Sequence, residues 1–299
     1  MCKIIFMSLD AEIKKTSSEK VIEIKDLTFA YEKAEIFTNL SLSFEYGKRY
    51  VIAGLNGCGK STLLKIIGGK VLCPHNTVLV ENNDPFRNTI THNSITFINN
   101  EWGMRTVAYC GYNLPLQSSI AVKDMMKHLK RNYPERSKEL IEVLDINEEW
   151  KLNCVSEGQR KRIQLYLNLI KPFKVCLLDE ITVNLDILIK DKFMTYLKRE
   201  SEENQACIIY ITHIFDGLDN WTTNLMYIKQ DREIIEIDDL KTIKPQNIYE
   251  YLLENFRIEK ELDENRLNEE EENPNDIIFS NAGGFSNGVL INLKREDQK

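Results

Sequence analysis

No apolar run in the 299-residue sequence approaches the ~18 residues of a membrane-spanning helix. Its seven cysteines, at 2, 58, 73, 110, 154, 176 and 207, include no Cys-x-x-Cys pair, and their number is odd. Such a set reads as reduced cytosolic thiols rather than a disulfide framework or structural zinc. Residues 1–20 hold a short apolar patch, Ile4 to Met7, but no long hydrophobic region and no small-residue cleavage site. No secretory signal is read there. Cys2 follows Met1, so the Gly of a myristoylation motif is missing. Positive charge is in deficit too, with 39 Lys and Arg against 46 Asp and Glu, a net charge of −7. That balance argues against broad, nonspecific nucleic-acid binding, though it leaves room for a local basic patch.

What is present is a chain of globular composition, 42% hydrophobic and 28% charged, long enough for one large or two modest domains. It is organised around Gly54-Leu55-Asn56-Gly57-Cys58-Gly59-Lys60-Ser61-Thr62, which fits G-x-x-x-x-G-K-[ST] throughout. The apolar run Tyr50 to Ala53 leads in, and a helix-like stretch, Leu63 to Ile67, leads out. Strand, glycine-rich loop and helix in that order form a phosphate cradle. Glycines 54, 57 and 59 let the backbone turn and aim several N–H groups at one point, where the helix dipole also ends positive. Lys60 is expected to reach the β- and γ-phosphates, and the Ser61 hydroxyl to hold Mg²⁺. Gly54, Asn56, Gly57, Cys58, Gly59, Lys60, Ser61 and Thr62 are the expected nucleotide contacts. Cys58 reads either as a reactive thiol in the loop or as a small filler, and filler is the better reading.

Val21 to Lys25 and Leu40 to Phe44 alternate apolar with polar residues and predict half-buried, antiparallel strands. Tyr31 lies between them and offers a flat ring for an adenine base, although a strand Tyr taken alone is more often packing. Gly68-Gly69 ends the first helix. Thr77 to Val80 and Ile95 to Ile98 read as strands, Val107 to Leu116 as a further short stretch, and Ala121 to Arg131 and Glu135 to Leu144 as helices. Ser156 with Gln159 forms a capping box opening another helix, whose basic start hints at a nearby anion. Lys174 to Glu180 is an apolar strand ending in two carboxylates, the edge at which open α/β sheets bind ligands. Asp179 is expected at the Mg²⁺ and Glu180 at the attacking water. Cys207 to Thr212 predicts a buried strand followed by His213, which in isolation reads as structural. Leu225 to Ile228 and Glu233 to Ile237 predict a hairpin, and the acidic stretch 257–276 a solvated linker or partly helical arm.

In order and spacing, these stretches resemble the nucleotide-binding domain of the ABC ATPases. Tyr31 matches the adenine-stacking aromatic, 54–62 the phosphate loop, and Gln117 the Gln that links Mg²⁺ and water to the helical subdomain. Val155 to Gln159 matches the signature, Val175 to Glu180 the second nucleotide motif, Asp186 the loop crossing between subunits, and His213 the switch histidine. The joint match reverses the isolated readings of Tyr31 and His213. Two departures stand out. Glu157 replaces a signature Gly, and a carboxylate about 4 Å from a γ-phosphate would cost about 4 kcal/mol at an effective dielectric of about 20. Glu157 must therefore turn aside or find cover among Arg160 to Arg162. Ile181-Thr182 also stands where the family has Pro after Asp-Glu. Asn113 to Gln117, Val155 to Asp186 and Thr212 to Leu218 look most like a eukaryotic branch of soluble ABC proteins that lack membrane domains, with members tied to transcription and mRNA turnover.

The resemblance implies an α/β P-loop NTPase fold of the ABC type, with a RecA-like parallel sheet core, an antiparallel β subdomain and a helical subdomain. It implies a flexible arm at 1–20, the ATPase domain at 21–256 with its helical subdomain near 118–165, and an acidic linker and tail at 257–299. The implied activity is Mg-ATP hydrolysis by a head-to-tail homodimer, using Lys60, Gln117, Glu180 and His213. Ser61, Gln117 and Asp179 would hold Mg²⁺. Ser156, Gly158, Gln159 and Asp186 would reach the nucleotide across the dimer. The implied role is a switch for protein or ribonucleoprotein complexes, acting through protein partners, in the cytoplasm with the nucleus as a second compartment. The alternative is the ATP-hydrolysing subunit of a transporter whose membrane part is a separate chain. A binding module with negligible turnover is disfavoured because Lys60, Gln117, Glu180 and His213 are all present.

Overall fold

Uninterrupted apolar runs bury strands on both faces, and here they form the sheet centre. Strands β3 (Arg49–Gly54), β9 (Cys207–Ile211) and β10 (Asn224–Ile228) are buried at every residue. The computed structural model describes residues 20–31, 34–89, 91–100, 104–106, 113–115, 120–182, 185–237 and 247–272. With β5 (Ile95–Ile98), β8 (Val175–Asp179) and β11 (Ile234–Ile237), the three make a six-stranded sheet ordered β11-β10-β3-β9-β8-β5. It is parallel from β10 to β5, and β11 closes it as the antiparallel arm of the expected hairpin.

A second sheet, β2-β1-β4, is antiparallel and built from β1 (Lys20–Tyr31), β2 (Ala34–Glu45) and β4 (Val78–Val80). Its alternating apolar residues, among them Ile22, Ile24, Phe37 and Phe44, share one core with Leu63, Leu64 and Ile67 of α1 (Lys60–Ile67) and with Ile52, Leu177 and Ile209. Each such aliphatic side chain contributes on the order of 1.5–3 kcal/mol by leaving water. The strand period of two sends Val51, Tyr210 and Leu178 to the opposite face. There they meet α4 (Glu157–Leu169), α5 (Ile187–Glu203) and α6 (Ile248–Glu272). The helix pair α2 (Val122–Asn132) and α3 (Pro134–Val143) buries Met126 and Leu140 in the same core, and Pro134 starts α3 where α2 stops. A short antiparallel pair, β6 (Met104–Thr106) and β7 (Asn113–Pro115), precedes them; of the stretch 107–116 only 113–115 is described.

Two expected boundaries fall inside helices. Position 165 lies within α4, whose Leu165 and Leu169 are both core residues, so the helix continues where burial continues. Position 256 lies within α6, which contains neither Gly nor Pro and packs Phe256 against Tyr227 at 5.6 Å between ring centroids. The acidic stretch is helical as far as Glu272.

A buried ion pair ties three of the helices to one another. Arg136 of α3 donates from both terminal nitrogens to Glu200 of α5, at 2.7 and 3.0 Å, and from Nε to Leu169 O of α4 at 2.8 Å. Glu200 is almost fully buried. Removing Arg136 leaves that carboxylate uncompensated, so Arg136→Ala is expected to lower stability by about 3–5 kcal/mol in urea unfolding. Replacing both partners by apolar residues should cost clearly less.

Candidate active site

The loop 54–59 leaves β3 at the C-terminal edge of the parallel strands and enters α1. A Cβ on Gly54 would lie 2.5 Å from Ile228 O, so the loop's first step requires glycine. Gly59 has φ +101°, and a Cβ there would meet Ile36 and Phe37 at 2.9 Å. Gly59 caps α1 without any side-chain hydrogen bond, and the first turn holds no acid. Its leading amides therefore present an uncovered positive helix end. Lys60, only 7% exposed, folds over the loop and donates to Gly54 O and Leu55 O, both at 2.8 Å. Cys58 is buried, its Sγ 3.9 Å from the Lys60 ammonium, and burial raises its thiol pKa against the pull of Lys60. The thiol is a filler, as the better of the two sequence readings had it.

β8 and β9 bring the acids and the histidine to the same edge. Ser61 Oγ donates to Asp179 Oδ1 at 3.2 Å across 118 positions of sequence. Burial pushes the Asp179 carboxyl above its usual range, and neighbouring Glu180 adds to this while Ser61, Lys65 and Lys60 oppose it. An all-oxygen pair whose carboxylate lacks a full counter-charge suits a hard divalent cation such as Mg²⁺. Glu180 adopts left-handed backbone, φ +51°, with its N–H on Ile211 O at 3.0 Å. Its Oε1 lies 3.1 Å from His213 Nε2, so the imidazole N–H orients the carboxylate. The pair standing in place of the family's Pro is anchored: Ile181 is buried, and Thr182 Oγ1 meets Tyr210 OH at 2.6 Å.

The remaining expected residues lie on other elements. Ser156 and Gln159 form the capping box reciprocally, at 3.2 and 2.9 Å, and so open α4 beside Gly158. Glu157 occupies the first turn of α4, where a carboxylate favours the helix dipole, and its charge is felt by Lys161, which lies within the basic run expected to cover it. Asp186 caps α5 through Ile189 N at 3.0 Å. Tyr31 is 45% exposed and stands edge-on to Phe29, whose strand partner Phe37 closes on Gly59. Lys60, Ser61, Asp179, Glu180 and His213 thus converge, while Tyr31 stands on β1 against Phe29. Ser156, Gly158, Gln159 and Asp186 occupy separate helix starts. Gln117 and the pair 183–184 lie outside the described residues.

One residue absent from the sequence reading, Asn100, enters the site, and Lys161 of the basic run 160–162 holds it there. Asn100, just past β5, donates from Nδ2 to Glu180 O at 2.9 Å. Lys161 of α4 donates to Asn100 Oδ1 at 2.9 Å, and burial draws its ammonium down to about 8 against the pull of Asp179 and Glu157. The signal available was Asn99-Asn100 after an apolar strand, the same pattern as Asp179-Glu180 after β8.

A parallel sheet whose strand ends gather a phosphate loop, a carboxylate pair and a histidine defines a P-loop ATP-binding cassette. Comparison with known proteins agrees: a family model described as ABC transporter matches residues 37–183. The chain belongs to the ABC transporter family, as one of its ATP-binding cassette proteins. It is 39% identical over 233 residues to ABC transporter I family member 20 of Arabidopsis thaliana, covering 74% of this chain and 70% of that one. It is 29% identical over 298 residues to CCR4-associated factor 16 of Saccharomyces cerevisiae, covering 94% and 96%. Its fold matches the dimeric post-hydrolysis structure of the ATP-binding cassette MJ0796 bound to ADP and Pi, with TM-score 0.58, 21% identity, and coverage of 73% and 98%. Among the described residues no helix is long and apolar enough to cross a membrane.

Cysteine reactivity provides a check on the loop geometry. Cys154 is exposed whereas Cys58 is buried with a raised pKa, so iodoacetamide at neutral pH should modify Cys154 well before Cys58 in peptide mapping. Equal rates would contradict the closed packing of the loop.

Proposed function

We propose that the protein binds and hydrolyses Mg-ATP, closes head-to-tail as a homodimer on two nucleotides, and serves as a soluble switch for protein or ribonucleoprotein complexes. The observation that carries this reading is the convergence of Lys60, the Ser61–Asp179 pair and the Glu180–His213 pair at one sheet edge. The loop amides and Lys60 grip the phosphates. Ser61 and Asp179, with Gln117, would hold Mg²⁺, which supplies charge neutralisation at the phosphoryl oxygens. Glu180 accepts a proton from the water that attacks the γ-phosphorus, and the bond to the β-phosphate oxygen breaks to release ADP. His213 holds Glu180 in line and reaches toward the γ-phosphate. Tyr31 stacks on the adenine.

The signature residues Ser156, Gly158 and Gln159 lie at the start of α4, a helix N-terminus that suits a γ-phosphate presented by a second copy. Asp186 lies on the segment between the two copies. A dimeric neighbour of the same fold supports this geometry. The regulatory role rests on end-to-end similarity to a yeast protein whose name associates it with CCR4. The name of the Arabidopsis relative favours the second reading, a transporter's ATP-hydrolysing subunit whose membrane part is a separate chain. Cell fractionation separates the two: a pool in cytoplasm and nucleus, absent from membranes, supports the switch.

Lys60→Ala is expected to abolish ATPase activity, and unchanged turnover would refute the site. Glu180→Gln keeps the nucleotide contacts while losing the proton acceptor. With Mg-ATP it should elute from gel filtration as a dimer, and a monomer at saturating ATP would defeat the composite site.

A further inference from the structure

Asn100 uses its side-chain amide at both ends. Nδ2 donates to the main-chain oxygen of Glu180 at 2.9 Å, and Oδ1 accepts from Lys161 Nζ at 2.9 Å. Lys161 also donates to Asn99 O at 3.0 Å, an oxygen shared with Gln164 Nε2 at 2.8 Å. This assigns the amide's orientation, because turning it over would set NH₂ against an ammonium and oxygen against a carbonyl. Lys161 is 6% exposed, and the partners it touches here are neutral oxygens rather than a carboxylate. An ammonium buried on such terms is costly for packing alone. The Glu180 it serves indirectly is a non-glycine residue at φ +51°, a conformation that persists only where its surroundings hold it. Ile211 O holds its N–H and Asn100 holds its carbonyl, which leaves the carboxylate facing His213.

Lys161 projects from the first turns of α4, the helix that Ser156 and Gln159 open. The chain of bonds Lys161–Asn100–Glu180 therefore runs from that helix to the carboxylate of the chain's own site. We propose that Asn100, held by Lys161, is a positioning residue for Glu180 and makes the placement of α4 felt at that carboxylate. This rests on the reading of Glu180 as the group that activates water. When α4 engages a nucleotide on a second copy, the same helix tightens or slackens the peptide that carries Glu180.

Steady-state ATPase kinetics and thermal melting of the full chain test the proposal. Asn100→Asp keeps an acceptor for Lys161 but has no proton to donate to Glu180 O. It should lower kcat by about 10–100-fold, with KM within about two-fold of wild type and the melting temperature close to wild type. Lys161→Met combined with Asn100→Ala should be no slower than Asn100→Ala alone, because both act on one chain of bonds. An Asn100→Asp protein turning over within about two-fold of wild type would overturn the assignment, as would losses that multiply in the double variant. A wild-type chain without ATPase activity would instead bring down the proposed function itself.

Discussion

Ile211 is where the strands bearing the site come into line. It pairs with Ile52 on β3 to one side and with Asp179 on β8 to the other, and its carbonyl takes the Glu180 N–H. That parallel register brings the phosphate loop after Gly54, the Asp179–Glu180 pair and the Thr212–His213 pair to one edge at matched height. A slip by one residue would reverse which side chains face each core layer, and both layers are packed, so the register is strongly held. Positive helix end, ammonium, carboxylates and imidazole thereby share a space that none of their own segments could build.

The electrostatics of that edge are left deliberately unbalanced. Lys60 rests on main-chain carbonyls, and Asp179 is partly desolvated next to another acid. A polyphosphate with its divalent cation would answer both needs together, the anion meeting Lys60 and the amides and the cation the acids. Glu157, which looks misplaced in a phosphate-facing signature, is accommodated by the helix end and by the nearby Lys161. The departure at Ile181-Thr182 is likewise made good by burial and by the Thr182–Tyr210 hydrogen bond.

Much of this was legible beforehand. The helices at 122–132 and 134–143 were expected within a residue or so, because amphipathic spacing is a local signal. The capping box at Ser156 was read from two residues three apart and forms as read. The strands of the parallel sheet were likewise visible as apolar runs. How far α4 and α6 run was not, since Leu169 and Phe256 prolong their helices where a packed core is there to receive them. Gln117 matched the family by position in sequence and lies outside the described residues; the bond from the Asn100 side-chain amide to Glu180 O had no such match to announce it.

By itself the amino-acid order determined the phosphate loop, the sequence of strands and helices, and the identity of the acids and histidine that end β8 and β9. Each of these is written in residues within a few positions of one another, where backbone angles and short-range hydrogen bonds decide the outcome. Tertiary structure alone decided that Ser61 meets Asp179, that Cys58 is shut away, and that Lys161, Asn100 and Glu180 form one chain of bonds across 61 and 80 positions. Those contacts depend on the spatial order β3-β9-β8-β5, which is not the order of the chain, and that order is set by which buried faces can pack together.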